Sequence, residues 1–341
     1  MRRTFMIGSF LLALTAMTGC GTTPPAKPPF TKFYVFGDSL SDVGNLHLES
    51  GLIPFAPYSE GRFSNGKVWS QHVAEHFGLP LLPSYIGGTN YATGGSLTGL
   101  AFADLKPDQP IPLGPNIREQ VNLFPGVFNG TELIAVWGGG NDFFSVLAGV
   151  NQLTPQQMAD DLFLAVSALY NRGGRSFLVC NLPDIGRIPS YFGGPQQALA
   201  TQLTHEFNAA LAVRLDQLEN LTDITIYRPD IFNLFAQLIA NPPPGITNTT
   251  EPAWSGTFLG YLGSGTLVPD PDTHVFWDQV HPTEISHAIL GQFISDVIDS
   301  ELVIKNKAVT PLPLGPPPLP PPVAFWLAYI ENLPIFYANK Q

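Results

Sequence analysis

Short apolar runs rich in β-forming residues alternate along this chain with longer segments of helical period. Four such runs lie at residues 33–36, 131–137, 176–180 and 224–227. Alternation of this kind is typical of βαβ units, in which helices connect parallel strands and cover the faces of the sheet. The pattern therefore predicts an α/β protein with a parallel central sheet.

The clearest helix signal lies just before the third run. Thr154 is a predicted N-cap, Pro155 occupies the first helical position, and Gln157 completes a capping box. The helix is expected to continue to Arg172, where a pair of glycines stops it.

Two further helices and one long irregular segment are expected in the C-terminal half. The helices are predicted over about residues 196–218 and 283–300. Residues 241–273 are rich in Pro, Gly, Thr and Asn with little periodicity, which predicts a long loop.

The N-terminus has the pattern of an export signal. Arg2 and Arg3 precede an apolar run that ends at small residues and Cys20. Residues 1–19 are therefore predicted to be a signal peptide, and Cys20 resembles the lipid-bearing first residue of a bacterial lipoprotein. The expected location is the bacterial cell envelope through this membrane anchor, or outside the cell if the signal is cleaved without lipidation.

Composition separates the globular part from its flanks. We expect a proline-rich linker over residues 20–31, one globular domain over 32–303 and a proline-rich tail of unassigned role over 304–341. If Cys20 is lipidated, Cys180 is the sole remaining cysteine, which leaves no partner for a disulfide within the chain.

The formal net charge of −11 argues against nucleic acid as a partner. A protein that binds phosphate backbones needs a basic stripe, and this sequence has none. With 44% hydrophobic and 13% charged residues, the chain is also too apolar to be disordered.

Ser39 has the setting that a nucleophilic serine needs. The first predicted strand ends at Gly37, which permits a tight turn, so Ser39 lies at the carboxyl edge of the sheet. The G-x-S-x-G elbow of α/β-hydrolases is absent from the sequence, so that hydrolase class is not indicated.

Four ordered segments resemble the blocks of the GDSL/SGNH hydrolases. The first is Phe36-Gly-Asp-Ser39-Leu-Ser-Asp42-Val-Gly-Asn45, and the fourth is Asp278-Gln-Val-His281-Pro-Thr. The two between them are Gly88-Thr-Asn-Tyr-Ala-Thr-Gly94-Gly95-Ser96 and Trp137-Gly-Gly-Gly-Asn141-Asp142. The resemblance covers about residues 32–302.

This resemblance implies a fold and a set of roles. The fold would be a three-layer α/β/α sandwich around a mostly parallel five-stranded sheet, as in flavodoxin-like proteins. Ser39 would be the nucleophile and His281 the base, and the oxyanion would be held by the Ser39 amide, by Gly95, with Gly94 as the alternative, and by the Asn141 side chain.

Elementary chemistry independently supports the pairing of Asp278 with His281. A histidine that takes a hydroxyl proton becomes cationic, and a carboxylate on its other ring nitrogen fixes the tautomer and stabilises the imidazolium. Three residues apart on one turn, both side chains can point into the same site.

The implied activity is cleavage of carboxylic acyl esters, with no metal or organic cofactor and no protein partner. The substrate class stays open between lipid-like esters, as a lipase, esterase or phospholipase would take, and carbohydrate acetyl esters; acyl transfer on the same site is also open. Export and the apolar residues Trp254, Phe258, Tyr261 and Leu262 favour the lipid-like class, although these side chains could equally belong to the core.

Two alternative hypotheses assign the chain to other functional classes. His72-Val-Ala-Glu75-His76 fits the H-x-x-E-H pattern of inverted zinc peptidases, whereas an amphipathic helix with two exposed histidines would give the same pattern. Alternatively, the chain is a lipid-anchored ligand-binding protein without catalysis, because a fold does not dictate an activity.

Overall fold

The computed structural model of the chain describes residues 29–99, 114–262 and 264–307. Four strands form a parallel sheet in chain order: β1 Phe33–Gly37, β2 Leu133–Trp137, β3 Ser176–Val179 and β4 Thr225–Tyr227. All five residues of β2 are buried, as expected for a strand covered on both faces. The predicted α/β class and the four strand positions are confirmed.

An extended segment at residues 89–93 supplies the expected fifth position of the sheet without being a regular strand. It runs parallel to β1, and Val35 N donates to Thr89 O at 3.1 Å while Tyr91 N donates to Val35 O at 2.7 Å. Thr93 N continues the pairing by donating to Gly37 O at 3.1 Å. The sheet of the described residues therefore has four strands and one irregular edge.

Helices cover this sheet in two groups. The helices of the described residues are α1 Asn45–Ser50, α2 Trp69–His76, α3 Ile117–Leu123, α4 Gly140–Leu147, α5 Pro155–Asn171, α6 Gln197–Glu219, α7 Ile231–Ala240 and α8 Glu284–Lys307. Helix α5 packs against α3 and α6, whereas α2 packs against α8. The two groups form the outer layers of the predicted sandwich.

Helix α5 begins as its sequence predicts. The Thr154 side chain accepts a hydrogen bond from Gln157 N, and Gln157 Oε1 accepts one from Thr154 N at 2.9 Å. This capping box satisfies amide groups that have no partner within the helix.

The long loop predicted over residues 241–273 is wrong in part. Strand β5, Asn248–Pro252, lies there and pairs in parallel with β6, His274–Phe276. The sequence of β5, Asn-Thr-Thr-Glu-Pro, has no apolar alternation, so its strand state depends on pairing with β6. This small sheet holds a second apolar cluster, described below.

Both ends of the chain fall outside the described residues. The predicted signal peptide, Cys20, most of the linker and residues 308–341 are among them, so export and lipidation stay predictions. Within the described ranges, no helix is long and apolar enough to cross a bilayer. Cys180 is buried and has a free thiol.

Candidate active site

A tight turn at the end of β1 presents Ser39 to a pocket. Asp38 O accepts hydrogen bonds from Ser41 N and Asp42 N, both at 3.0 Å, which closes the turn. A Cβ atom on Gly37 would lie 2.5 Å from Trp137 O, so only glycine fits where this turn leaves the sheet. The Ser39 side chain is therefore fixed at the carboxyl edge of the sheet, as predicted.

The Gln120 side chain fastens this turn to α3. Gly37 N donates to Gln120 Oε1 at 2.9 Å, and Gln120 Nε2 donates to Gly37 O at 2.8 Å. Both backbone groups of Gly37 are thus satisfied by one buried amide. These two bonds hold the turn that carries Ser39 in a fixed position.

Ser39, His281 and Asp278 form a continuous hydrogen-bonded chain. His281 Nε2 lies 2.8 Å from Ser39 Oγ, and His281 Nδ1 lies 2.7 Å from Asp278 Oδ2. Asp278 Oδ1 also accepts from the backbone N–H groups of Val280 and His281, at 2.8 and 2.7 Å. The short turn thus orients both side chains, and the structure brings together the three residues that the sequence singled out.

A second side chain reaches the same carboxylate. The Tyr58 hydroxyl donates to Asp278 Oδ2 at 2.6 Å. Burial of Asp278 opposes ionisation, but the charge and hydrogen bond of His281, with the hydrogen bonds from Tyr58 and Val280, lower its pKa on balance. Asp278 is therefore a buried, ionised and fully hydrogen-bonded partner for the imidazole.

Residues 61–66 pack against the turn that carries His281 and against the start of α8. The Phe63 ring lies against the His281 ring, with centroids 5.1 Å apart. Ser64 Oγ donates to Pro282 O at 2.9 Å, and Glu284 N at the start of α8 donates to Asn65 Oδ1 at 2.7 Å. This segment therefore has a scaffold role at the site.

The geometry separates the two glycines considered as oxyanion donors. Gly94 N donates to Asp42 Oδ2 at 2.9 Å, so that amide is engaged. For Gly95, which has φ of 80°, the structure gives the backbone N–H no hydrogen-bond acceptor among the described residues. Of the two, Gly95 has the amide that is free to bind a ligand, although Gly95 is not itself among the residues that line the pocket.

Asn141 lies near the start of α4 and faces the pocket beside Ser39 and His281. Its Nδ2 atom donates to Ser96 O at 3.0 Å, next to Gly95 in the chain. An amide nitrogen carries two hydrogens, so one can hold the Gly95 turn while the other points to a ligand.

Two buried carboxyl groups for which the sequence predicted no role, those of Asp42 and Asp142, fix the backbone of the loops around Ser39 and Gly95. Asp42 accepts hydrogen bonds from four backbone N–H groups, including that of Gly94, whereas Asp142 accepts from Thr98 N and Thr98 Oγ1. Burial raises the pKa of Asp42 to about 6 and that of Asp142 to about 7 despite these bonds. Both residues act on the site through the backbone that they fix.

An open cleft lies over Ser39. Its polar side chains are those of Asp38, Ser39, Asn141 and His281, at one part of an otherwise apolar surface. The apolar wall includes Phe144, Leu182, Ile185, Ile188, Phe235 and Val280. Such a cleft suits a ligand with one reactive polar group and an apolar extension.

Of the four residues that favoured the lipid-like class, Trp254, Phe258 and Leu262 do not line this cleft, and the side chain of Tyr261 lies outside the described part of the chain. Trp254 is buried in the second apolar cluster with Tyr58, Ala253 and Trp277, which is the core alternative. Phe258 and Leu262 are exposed. They therefore give no support for a lipid-binding pocket wall.

The two histidines of the zinc alternative do not converge on a metal site. His76 Nε2 bonds Asp299 Oδ2 at 2.8 Å, and His72 packs against α8 near Gly291. Burial lowers the pKa of His72. Across residues 29–99, 114–262 and 264–307, no group of three or more His, Cys, Asp or Glu residues is arranged to hold a metal ion.

The chain is similar to several known proteins. A phosphatidylcholine-sterol acyltransferase of Aeromonas hydrophila is 26% identical over 335 residues, covering 85% of this chain and 96% of that protein. A GDSL esterase/lipase of Arabidopsis thaliana is 29% identical, covering 82% and 89%. The crystal structure of a lipolytic protein G-D-S-L family member from Veillonella parvula has 12% identity and a TM-score of 0.42, covering 78% and 94%.

The family model described as GDSL-like Lipase/Acylhydrolase matches residues 33–294. That span runs from the first residue of β1 into α8 and contains every residue of the site described above. The chain therefore belongs to the GDSL-like lipase/acylhydrolase family.

Proposed function

We propose that this protein is a carboxylic ester hydrolase that forms an acyl-enzyme on Ser39. The observation that carries the proposal is the chain of hydrogen bonds from Asp278 through His281 to Ser39 Oγ, at 2.7 and 2.8 Å, where Ser39 faces the cleft. A hydroxyl aligned with an imidazole, which is in turn oriented by a carboxylate, is an activated nucleophile.

In the acylation step, Ser39 Oγ attacks the ester carbonyl carbon while His281 Nε2 takes the hydroxyl proton. The carbonyl electrons move onto oxygen, and the oxyanion is bound by the Ser39 and Gly95 amides and the Asn141 side chain. Collapse of this intermediate expels the alcohol, which receives its proton from His281. Asp278 stays ionised throughout and stabilises the imidazolium.

In the deacylation step, water takes the place of the alcohol. His281 removes a proton from water, the resulting hydroxide attacks the acyl carbon, and the same donors hold the second oxyanion. The acid leaves, and Ser39 Oγ regains its proton from His281. These steps use only side chains and backbone groups of the chain.

The favoured substrate class is an ester with an aliphatic acyl or alkyl group. This part of the proposal is supported by the apolar wall of the cleft, where Ile185, Ile188 and Phe235 are nearly inaccessible to water. A carbohydrate acetyl ester would place hydroxyl groups against this wall, and the wall offers them no hydrogen-bonding partners.

The test is hydrolysis of p-nitrophenyl esters from acetate to palmitate, combined with labelling by a p-nitrophenyl alkylphosphonate. We expect saturable hydrolysis with a preference for chains longer than acetate, and a phosphonate adduct on the peptide that contains Ser39. An adduct elsewhere, or no turnover of any ester, would contradict the proposal. Acyl transfer to an added alcohol in place of hydrolysis would assign the protein to transferases.

Replacing Ile188 with tryptophan should shift the preference toward short acyl chains, because the larger ring occupies space at the apolar wall. A hydrophobic pocket discriminates by about 10- to 200-fold for one methylene, so we expect kcat/KM for octanoate to fall about tenfold or more relative to acetate. Leu164→Trp on α5, where the side chain is 44% exposed, controls for the addition of an indole away from the cleft. An unchanged octanoate-to-acetate ratio would exclude this wall from the acyl site.

A further inference from the structure

Asp278 Oδ2 is shared between two side-chain donors. His281 Nδ1 lies 2.7 Å from it and the Tyr58 hydroxyl 2.6 Å. The other oxygen of the carboxylate is occupied by the backbone N–H groups of Val280 and His281. The carboxylate is 4% exposed, so these four bonds take the place of its hydration.

The Tyr58 side chain is held in place by packing that is independent of the hydroxyl. Its ring meets the Trp277 ring edge-on, with centroids 5.7 Å apart, and the Phe63 ring at 6.2 Å. Ala253 and Trp254, which directly follow β5, complete this buried cluster. The hydroxyl therefore points at Asp278 because the aromatic cluster fixes the ring, and removing the oxygen should leave the ring where it is.

Tyr58 stays a donor across the working pH range. Burial, and then the charge of Asp278, raise the pKa of the Tyr58 hydroxyl far above its ordinary value. The hydroxyl cannot accept a proton from the imidazole side, since Asp278 lies between them. Its action on His281 passes through the carboxylate.

We infer that Tyr58 is a positioning residue for the base: by donating to the same oxygen as His281, it fixes the carboxylate and weakens its hold on the imidazolium. This inference deepens the proposed function and rests on it for its catalytic meaning. A hydrogen bond to a carboxylate spreads its negative charge, so less of that charge remains to stabilise a neighbouring cation. Tyr58 would thereby keep His281 ready to give up the proton that it takes from Ser39.

Loss of the Tyr58 hydroxyl should stabilise the protonated form of His281. In Tyr58→Phe the carboxylate loses one donor, its charge concentrates on the remaining partner, and the imidazolium form of His281 gains stability. The acid limb of the pH–rate profile should then move to higher pH, and kcat at the optimum should fall because the carboxylate is less firmly held. Asp38 on the serine turn and His287 on α8 also interact electrostatically with His281, and neither is altered.

The experiment follows the His281 ring by NMR in the full chain carrying ¹³C-labelled histidine, with assignment by a His281→Asn variant. We expect the titration midpoint of His281 to rise by about half a pH unit or more in Tyr58→Phe, and kcat to fall about five- to fiftyfold. Tyr91→Phe, which removes the hydroxyl from a ring stacked on that of Phe36 in β1, should leave both unchanged. A His281 midpoint equal in the parent and Tyr58→Phe would overturn the inference.

A second variant keeps the shape of the site and reverses the sign. Site-specific 3-fluorotyrosine at position 58 makes the hydroxyl a stronger donor, so the His281 midpoint should move to lower pH. If Tyr58→Phe fails to fold, this variant decides the matter, and a midpoint that stays constant or rises contradicts the inference.

The ring titration needs no turnover, so the two proposals can fail separately. A shifted midpoint in a protein without Ser39-dependent esterase activity would leave the coupling of Tyr58 to His281 intact and remove the proposed function. Normal Ser39-dependent activity with an unshifted His281 midpoint would leave the proposed function intact and remove the coupling of Tyr58 to His281.

Discussion

Replacing Ser39 with alanine is expected to lower kcat for every ester substrate by about 10⁴ to 10⁶, because the acyl-enzyme route is lost. The folded state should change little, since Ser39 contributes one hydrogen bond, to His281. The measurement is turnover of the best p-nitrophenyl ester together with thermal unfolding. The remaining rate would reflect only the oxyanion donors and substrate binding.

Ser41 gives the matched control for this prediction. It lies two residues further along the same turn, is fully buried, and its Oγ accepts a hydrogen bond from Trp69 Nε1 at 3.1 Å. Ser41→Ala should therefore lower the free energy of unfolding by about 1–3 kcal/mol, because a buried donor is left unsatisfied, while kcat stays within a few-fold of the parent. Two serines of one motif should thus show opposite phenotypes.

Equal activity in Ser39→Ala and the parent would remove Ser39 from the mechanism. Zinc analysis and chelator sensitivity would then test whether His72 and His76 participate. A ligand-binding protein without catalysis would show no esterase activity in either form and would retain its ligand in the variant.

The parts of the site that are local in sequence could be predicted from it. Asp278 and His281 lie on one turn, and Gly37 and Ser39 lie on another, so short spacing alone places these side chains together once the strand before Ser39 is recognised. The carboxyl-edge rule for parallel sheets then accounts for the meeting of the two turns. Ser39 and His281 lie 242 positions apart in the chain. Their pairing could still be predicted, because the four blocks occur in the same order as in the family.

The parts that depend on distant packing could not be predicted. Tyr58 meets Asp278 across 220 positions, and its sequence setting, Ala-Pro-Tyr-Ser, has no pattern that indicates a buried hydroxyl. Strand β5 has the composition of a loop and becomes a strand only beside β6. The choice between Gly94 and Gly95 was also open until the bond from Gly94 N to Asp42 was seen.

Replacing Asn141 with alanine should lower kcat by about 10² to 10³ while KM changes little, because an oxyanion donor acts mainly in the transition state. The effect has two sources in this structure. Asn141 Nδ2 donates to Ser96 O at 3.0 Å and thereby holds the Gly95 turn, and the second hydrogen of the same nitrogen is available to a ligand because Asn141 lines the cleft. Loss of the side chain thus removes one donor and loosens a second.

Two further variants on α4 serve as controls for this prediction. Ser145→Ala on α4 controls for changes to the helix itself and should leave kcat unchanged. Asn141→Asp retains the size of the side chain but puts a carboxylate against Ser96 O and against the developing oxyanion, so it should be at least as inactive as Asn141→Ala. A folded Asn141→Ala protein with parental kcat would exclude Asn141 from the oxyanion hole and leave stabilisation of the intermediate to the Ser39 and Gly95 amides alone.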